Sequence, residues 1–212
     1  MDNPVLIFGA NYIGRLAKEI FESNGIVIYG FLDDDKKLHK TDVDEVQVLG
    51  STEEQGFLKL IGKKCEAFVA TDDTKLRKGL TAMLLDARHI QPMNAVHKQA
   101  DISKHASIGY GNFVDKNVTI VSGASLGSHC LIQANSYIGM DASLGDFVQL
   151  GVRCTINSGV KIENEAFIGS GVTVVSGVTI GKGARVGAGS VVVASVKAGE
   201  TVFGNPAQAI KA

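Results

Sequence analysis

An aliphatic side chain recurs at every sixth position from residue 96 to residue 192. A spacing of six matches neither a helix of 3.6 residues per turn nor a simple strand alternation, but it is typical of a parallel β-helix whose flat faces use about six residues each. The sequence therefore predicts a solenoid with three faces, eighteen residues per coil and about five coils. Seventeen positions keep this register: Val96, Ile102, Ile108, Val114, Ile120, Leu126, Ile132, Ile138, Leu144, Leu150, Ile156, Ile162, Ile168, Val174, Ile180, Val186 and Val192.

Small residues accompany the aliphatic series. Two positions before most of its members lies a second, mostly small residue, such as Ala124, Cys130 or Ala142. We expect the aliphatic side chains to point inward and the small ones to let the chain turn. Glycine often follows the aliphatic residue, where we expect it to supply positive φ. The periodicity does not fix the hand of the coil, since parallel crossovers are normally right-handed. These glycines are Gly109, Gly127, Gly139, Gly145, Gly151, Gly169, Gly181 and Gly187.

The first ninety residues have a different pattern. Short apolar runs such as VLIF and AFVA alternate with helical patterns such as NYIGRLAKEIFESNG. This alternation predicts βαβ units and a small, Rossmann-like parallel sheet. Pro92 ends the pattern just before the hexads begin. We therefore predict an α/β domain over residues 1–92 and a β-helix with a short tail over residues 93–212.

Composition excludes several classes of protein. The net charge is −1 and no lysine–arginine block occurs, which argues against nucleic acid or a membrane surface as a partner. No apolar run approaches the ~18 residues of a membrane span, and the first ten residues lack a signal-peptide pattern. The three cysteines have neither disulfide nor metal-ligand spacing. We expect a cytoplasmic protein with reduced thiols and no metal.

Polar segments follow three of the predicted strands. Ligands of an open α/β sheet bind beyond the carboxyl ends of its strands, so these segments would line one crevice. Taken singly, each has a structural interpretation: a glycine needed only for its turn, or a solvated acidic loop. Their shared location favours a ligand site. The candidate substrate-binding residues are Gly9, Asn11, Tyr12, Asp33, Asp34, Asp35, Asp72, Asp73 and Arg77.

Several motifs together resemble bacterial sugar acetyltransferases of the NeuD/PglD type. They are GAN-IG, GFLDDD, VLGSTEE, ATDDTKLRK, the uninterrupted hexads and the closing VFGNPAQAI. The resemblance covers nearly the whole chain. It implies a left-handed β-helix, a homotrimer, and acetyl-CoA in the groove between neighbouring helices. It also implies a nucleotide-linked amino sugar bound by the first domain, or a free sugar as in the sialic-acid branch.

The same resemblance places a catalytic pair in the repeat. The family's histidine falls on Met140 and its neighbouring acid on Asp141, just before the family's IGDF, here Leu144–Phe147. Within the repeat itself, Met140 and Asp141 replace the serine and glycine found at equivalent turns. Methionine accepts no proton at neutral pH, so the usual general base is absent. The acetyl-CoA contacts that the resemblance implies are Gln149, Gly151, Gly169, Gly187, Asn205 and Pro206.

Two interpretations remain open. In the first, the protein transfers an acyl group to an amine or hydroxyl with another base, or by proximity and backbone oxyanion contacts. Asp141 itself and His129, reaching a neighbour's groove, are the candidate substitutes. In the second, the protein is a non-catalytic ligand-binding or scaffolding trimer. His39 and His89 belong to the first domain, and we expect His97 and His105 to lie too far along the helix axis.

Overall fold

The computed structural model describes residues 3–210, except for the side chain of Ala87, and divides into two compact units, Met1–Lys98 and Gln99–Ala212. The first unit has six strands and three helices. In chain order they are β1 (Val5–Phe8), α1 (Tyr12–Ser23), β2 (Ile28–Leu32), β3 (Asp42–Val43), β4 (Val46–Gly50), α2 (Gln55–Leu58), β5 (Glu66–Val69), α3 (Thr74–Arg88) and β6 (Ala95–Val96).

Five strands of this unit form a sheet in the order β3-β4-β2-β1-β5. All neighbours pair in parallel except β3 and β4, which form an antiparallel hairpin. The interior strand β1 is buried along its whole length, as expected for a parallel strand covered on both sheet faces. Helix α1 buries Ile13, Ala17, Ile20 and Phe21 along one stripe. Because β1, β2 and β5 run in the same direction, the loops that follow them meet at one edge.

The second unit consists of two-residue strands and a terminal hairpin. In most strands from Thr119 onward, the first residue faces outward and the second is buried. The strands are β7 (Asp101–Ile102), β8 (Ser107–Ile108), β9 (Phe113–Val114), β10 (Thr119–Ile120), β11 (Ser125–Leu126), β12 (Leu131–Ile132), β13 (Tyr137–Ile138), β14 (Ser143–Leu144), β15 (Gln149–Leu150), β16 (Thr155–Ile156), β17 (Lys161–Ile162), β18 (Phe167–Ile168), β19 (Thr173–Val174), β20 (Thr179–Ile180), β21 (Arg185–Val186), β22 (Val191–Val192), β23 (Thr201–Gly204) and β24 (Ala207–Ala209).

These strands stack into three parallel faces. The first face runs β7-β10-β13-β16-β19-β22 and the second β8-β11-β14-β17-β20. The third contains β9, β12, β15, β18, β21 and β23, with β24 added antiparallel. Every third strand pairs in register, so that Ile120, Ile138 and Ile156 form one buried ladder. The eighteen-residue coil predicted from the hexads is confirmed.

The prediction for the glycines that follow the aliphatic residues is wrong. Positive φ falls two residues later, at the turn between faces, on Gly123 and Gly159 but also on non-glycine residues such as Asn135 and Asp141. The glycines directly after the strands are required by close stacking instead. A Cβ on Gly139 would lie 2.7 Å from the backbone nitrogen of Ser158 in the next coil. Successive coils therefore touch most closely where each strand ends.

This distinction can be measured with two alanine substitutions. Gly139→Ala pushes a methyl group into backbone that cannot move freely, and should destabilise the protein by roughly 3 kcal/mol or more. Gly177→Ala has open space around its Cβ at a φ of 74°, so it should cost only about 1 kcal/mol of left-handed strain. Urea unfolding of the two variants and the wild type provides the comparison. Equal losses would contradict the stacking explanation.

Candidate functional site

The loops after β1 and β5 are tied together by Asn11. Its Oδ1 accepts hydrogen bonds from the N–H groups of Ile13 (2.9 Å) and Gly14 (3.3 Å), which caps α1. Its Nδ2 donates to the carbonyl oxygen of Ala70 beyond β5 at 2.8 Å. Gly9 has a φ of 113° and passes so close to Ala70 that no Cβ would fit. Asn11 and Gly9 thus fix the floor of the crevice predicted from the sequence.

The acidic loop after β2 lies beside this floor. One carboxylate oxygen of Asp33 accepts from the Ala10 N–H at 2.8 Å. Asp34 accepts from both the N–H and the hydroxyl of Thr52, each at 2.9 Å. Asp35 accepts from the Lys37 N–H at 3.0 Å at the outer part of the loop. A small cavity of about 90 Å³ opens here. Its lining includes Phe8, Gly9, Asn11, Asp33, Asp34, Thr52, Thr71, Leu76 and Leu80.

The loop after β5 contributes the third predicted segment. Asp73 caps α3 by accepting from the N–H groups of Lys75 and Leu76. The Tyr12 hydroxyl donates to Asp72 at 3.0 Å, which links this loop to the start of α1. Partial burial, followed by the Asp72 carboxylate, raises the pKa of Tyr12 to about 12. Arg77 is fully buried and donates to the Thr71 carbonyl oxygen at 2.5 Å, so it supports the loop from beneath.

Met140 and Asp141 form a turn between the first and second faces of the β-helix. The Met140 side chain is 52% exposed, although methionine is usually found inside proteins. Asp141 has a φ of 56°, a conformation that aspartate tolerates better than most residues. Its carboxylate folds back onto the preceding coil, where it fills the space that a side chain on Gly123 would occupy. The Asp141 carboxylate therefore points away from its own coil and towards the preceding one.

His129 lies at a different vertex of the coil from Asp141. The two are twelve residues apart, since 141 − 129 = 12, which is two faces of six. His129 is only 6% exposed, and its ring stacks on Phe147 with 4.9 Å between centroids. The imidazole is thus packed against the Phe147 ring and largely shielded from solvent. His129 and Asp141 of one protomer are not brought together.

The predicted acetyl-CoA contacts follow the third face. Gln149 occupies the outer position of β15. Gly151, Gly169 and Gly187 come directly after β15, β18 and β21, and a Cβ on any of them would collide with the next coil. Asn205 and Pro206 are joined by a cis peptide bond in the β23–β24 hairpin. Pro206 lines a cleft of about 320 Å³ with Phe203, Gln208, Ala209 and Ile210.

A wider groove on the second face was not predicted. It has a volume of about 370 Å³ and begins at Ser143, two residues after Asp141. Lys161 and Lys182 supply positive charge, with their ammonium groups 3.7 Å from Glu163 and 3.8 Å from Glu165. The sequence feature that could have indicated this groove is Lys161, a lysine at an outward strand position. The lining comprises Ser143, Leu144, Gly145, Lys161, Ile162, Glu163, Asn164 and Lys182.

Between residues 3 and 210, no group of three or more His, Cys, Asp or Glu side chains is arranged to hold a metal ion. None of the helices in this range is long and apolar enough to cross a membrane.

The repeats and their turns define a class of protein. Residues 159–194 match the family model described as bacterial transferase hexapeptide (six repeats). Residues 106–140 match the model described as hexapeptide repeat of succinyl-transferase. The second unit is accordingly a left-handed parallel β-helix of hexapeptide repeats joined to an α/β domain. Comparison with curated proteins gave no match.

Solved structures extend the similarity to the whole chain. A variant of perosamine N-acetyltransferase from Caulobacter crescentus, with one histidine replaced by asparagine and with CoA and GDP-perosamine bound, is 28% identical. The match covers 100% of this chain and 99% of that one, with a TM-score of 0.91. WeeI from Acinetobacter baumannii is 26% identical over 98% of this chain and 99% of its own, with a TM-score of 0.84.

A third structure supports the fold alone. The acetyltransferase domain of PglB from Neisseria gonorrhoeae, solved with acetyl coenzyme A, is 24% identical with a TM-score of 0.89. It covers 99% of this chain and 100% of that domain. The match to perosamine N-acetyltransferase over the whole chain confirms the resemblance to sugar acetyltransferases of the NeuD/PglD type.

The bond between Tyr12 and Asp72 predicts a late tyrosine ionisation. Titration followed by tyrosinate absorbance should show one of the four tyrosines ionising only as the pH approaches 12, and Tyr12→Phe should remove that step. An unfolded tyrosine ionises near pH 10.0, so the stabilisation is complete below that pH and is lost as the pH rises towards 12. Asp72→Asn should lower the pKa of Tyr12 only part of the way, because burial remains. An unchanged late step in Tyr12→Phe would contradict the assignment.

Proposed function

We propose that this protein is an acyl-CoA-dependent sugar acyltransferase. It transfers acetyl from acetyl-CoA to an amino, or alternatively a hydroxyl, group of a nucleotide-linked sugar in surface-polysaccharide or glycan synthesis. The full-length match to an N-acetyltransferase solved with CoA and GDP-perosamine is the observation that carries the proposal. Both units are matched together, so the likeness extends over the α/β unit as well as the repeat unit.

The first unit supplies a Rossmann-like nucleotide crevice in this proposal. Counting only the parallel strands, the sheet order β4-β2-β1-β5 is 3-2-1-4, the order found in dinucleotide-binding sheets. The crevice residues Gly9, Asn11, Tyr12, Asp33 and Asp34 lie at its carboxyl edge. Asn11 already accepts from the Ile13 and Gly14 N–H groups, so a phosphate would bind beside this cap, next to Tyr12. Carboxylates after β2 suit the hydroxyls of a ribose.

Residues after β5 complete the proposed crevice. Asp72 and Asp73 lie on the loop that Arg77 supports from beneath, and Asp35 lies at the outer end of the acidic loop. Because Arg77 donates to the Thr71 backbone and is buried, its part in substrate binding would be to hold Asp72 in place. Tyr12 would have to leave Asp72 for a ligand to bridge the two loops.

The second unit supplies the transfer site. The predicted acetyl-CoA contacts Gln149, Gly151 and Asn205 belong to the third face and its end, whereas Asp141 and the lysine-lined groove border the second. A ligand lying between two protomers could contact the third face of one and the second face of the next. We therefore place acetyl-CoA between neighbouring helices of a homotrimer, with the Lys161 and Lys182 ammonium groups suited to its phosphates.

The chemistry requires a proton acceptor. A neutral amine attacks the thioester carbonyl carbon, a C–N bond forms, the C–S bond breaks, and the amine proton ends on the CoA thiolate. A positioned base accelerates such a step roughly 10²–10⁴-fold. The Met140 thioether cannot take this proton, and Asp141 faces away from its own coil. Proximity in a closed groove still provides rate enhancement, since holding the two reactants together removes much of the entropic barrier.

A non-catalytic function is the rival proposal. It is favoured by one observation, the half-exposed Met140 at the position of the expected base. A soft, adaptable side chain there is suited to apolar contact with a bound ligand or a second chain. In this case the trimer would bind nucleotide sugar or acyl-CoA without turnover.

Substituting Met140 by histidine tests the two proposals. We expect slow acetyl transfer by the wild type to UDP- or GDP-linked 4-amino sugars, and at least a roughly ten-fold gain with Met140→His, because an imidazole is then the direct neighbour of Asp141. The assay is release of free CoA thiol. Thermal shifts with acetyl-CoA, CoA, UDP and GDP provide the binding control, since a ligand of the native state raises its apparent stability. If none of the four ligands shifts the melting temperature of the wild type or of Met140→His, the proposed enzymatic function is refuted.

Assembly offers a second test. Tyr137, Met140, Val175 and Val193 are each at least 39% exposed and lie on the first face or at its end. Exposed apolar side chains on one face favour a partner, and a second copy of the chain fits the proposed shared groove. Sedimentation equilibrium should give three times the 22.3 kDa chain mass. A stable monomer would contradict the trimer and the shared groove, while Met140→Lys should weaken a true interface.

A further inference from the structure

His105, Gly123 and Asp141 form one vertical column at a single vertex of the β-helix. Their spacing is one coil each, since 123 − 105 = 18 and 141 − 123 = 18. Strand pairing on both sides confirms the alignment, because Ser107, Ser125 and Ser143 are in register on the face that follows. The Gly123 N–H also donates to the His105 carbonyl oxygen at 3.2 Å. Neighbouring coils are about 4.8 Å apart, so two coils separate His105 from Asp141.

The side chain of Asp141 spans most of the distance between its own coil and the preceding one. Its Oδ1 occupies the place of a Gly123 side chain, and its Cγ lies 3.2 Å from the position of that missing Cβ. The carboxylate therefore lies one coil closer to His105 than the Asp141 backbone does. It can reach this position because Gly123 has no side chain. By contrast, a Cβ at Gly159 or Gly177 in the same column would have no other atom within 4 Å.

His105 lies one coil beyond Gly123, on the side opposite the coil of Asp141. The residue is exposed, and its backbone N–H is held by the Ser103 hydroxyl at 3.2 Å, which fixes the start of the turn. An imidazole side chain extends over about one coil spacing. A His105 rotamer that points towards Gly123 would therefore bring a ring nitrogen close to the Asp141 carboxylate. Lys104, the neighbouring exposed cation, adds positive charge on the same turn.

We propose that His105 and Asp141 form the proton-transfer pair of this protein across the gap at Gly123. This inference rests on the proposed function. Neutral His105 takes the proton as the substrate amine attacks the acetyl carbonyl carbon, and Asp141 accepts a hydrogen bond from the other ring nitrogen and stabilises the cation. The C–S bond then breaks, and the proton passes from His105 to the departing CoA thiolate.

The pair explains two departures from the repeat at once. An acid replaces glycine at Asp141, and its carboxylate turns away from the Met140 coil. Sequence reasoning set His105 aside because of its distance along the axis, but that distance is only two coils and the two residues share one column. The proton acceptor thus lies about two coils closer to the first strand of the second face than the expected base position does, and Met140 is left to contact the acetyl group.

Substitution of His105 is the first test. His105→Gln should lower kcat for acetyl transfer roughly ten-fold or more, with KM for acetyl-CoA and the thermal shift with CoA unchanged. Adding Met140→His to this variant should restore transfer, because a base then stands beside Asp141. Restoration shows that the loss came from the missing base and not from misfolding. An unchanged kcat in His105→Gln would overturn the proposal.

Gly123 allows a matched second test. Gly123→Ala places a methyl group where the Asp141 carboxylate lies, and should lower kcat about as much as His105→Gln. Gly159→Ala has the same left-handed strain, with φ values of 75° and 68°, but an open Cβ, and should retain kcat within about two-fold. Equal losses in the two alanine variants would overturn the pair.

The outcomes separate the two proposals. A wild type that binds neither CoA nor nucleotide refutes the proposed function. A wild type that binds both ligands but releases no CoA thiol supports the non-catalytic function and overturns the proposed function, whereas release of CoA thiol that His105→Gln leaves unchanged overturns the His105–Asp141 pair alone.

Discussion

The close contact of one coil with the next is the constraint on which the rest of this structure depends. Each two-residue strand must pair with strands eighteen residues away, so inward side chains stack on equivalents of similar size. Where a strand ends, the backbones approach so closely that Gly139 and its counterparts cannot carry a Cβ. The turns absorb the remaining strain in left-handed conformations. Because the same steric requirements repeat in every coil, a residue that differs from its equivalents in the other coils is a candidate for a functional role.

Asp141 is such a departure, and its energetics are informative. A left-handed residue other than glycine costs about 1–2 kcal/mol, although aspartate tolerates the conformation better than most residues. The turn could have used glycine, as it does at Gly159 and Gly177. His129 and Phe147 are also left-handed residues other than glycine, but their rings stack and bury one another. Asp141 remains exposed with its carboxylate across Gly123, so its strain is not offset by packing.

Much of the fold and part of the site could be predicted from the sequence. The hexads fixed the coil length because local periodicity translates directly into stacking, and the strand-end loops of Gly9, Asp33 and Asp72 met as parallel-sheet topology requires. Other features depend on contacts between distant residues. Which glycine takes positive φ, the burial of His129 and the direction of the Asp141 carboxylate are all decided by the adjacent coil, which a linear pattern does not display.

The column through Gly123 also restricts how such a chain can change length. Residues eighteen apart are physical neighbours, so an insertion of six residues between His105 and Asp141 would leave every aliphatic side chain inside and still form a coil. It would, however, rotate everything after it by one face and move Asp141 to another vertex. The packing of the core would be unchanged by this insertion, whereas His105 and Asp141 would no longer share a column. Insertions of six residues would therefore preserve the fold, whereas only insertions of eighteen residues would preserve the site.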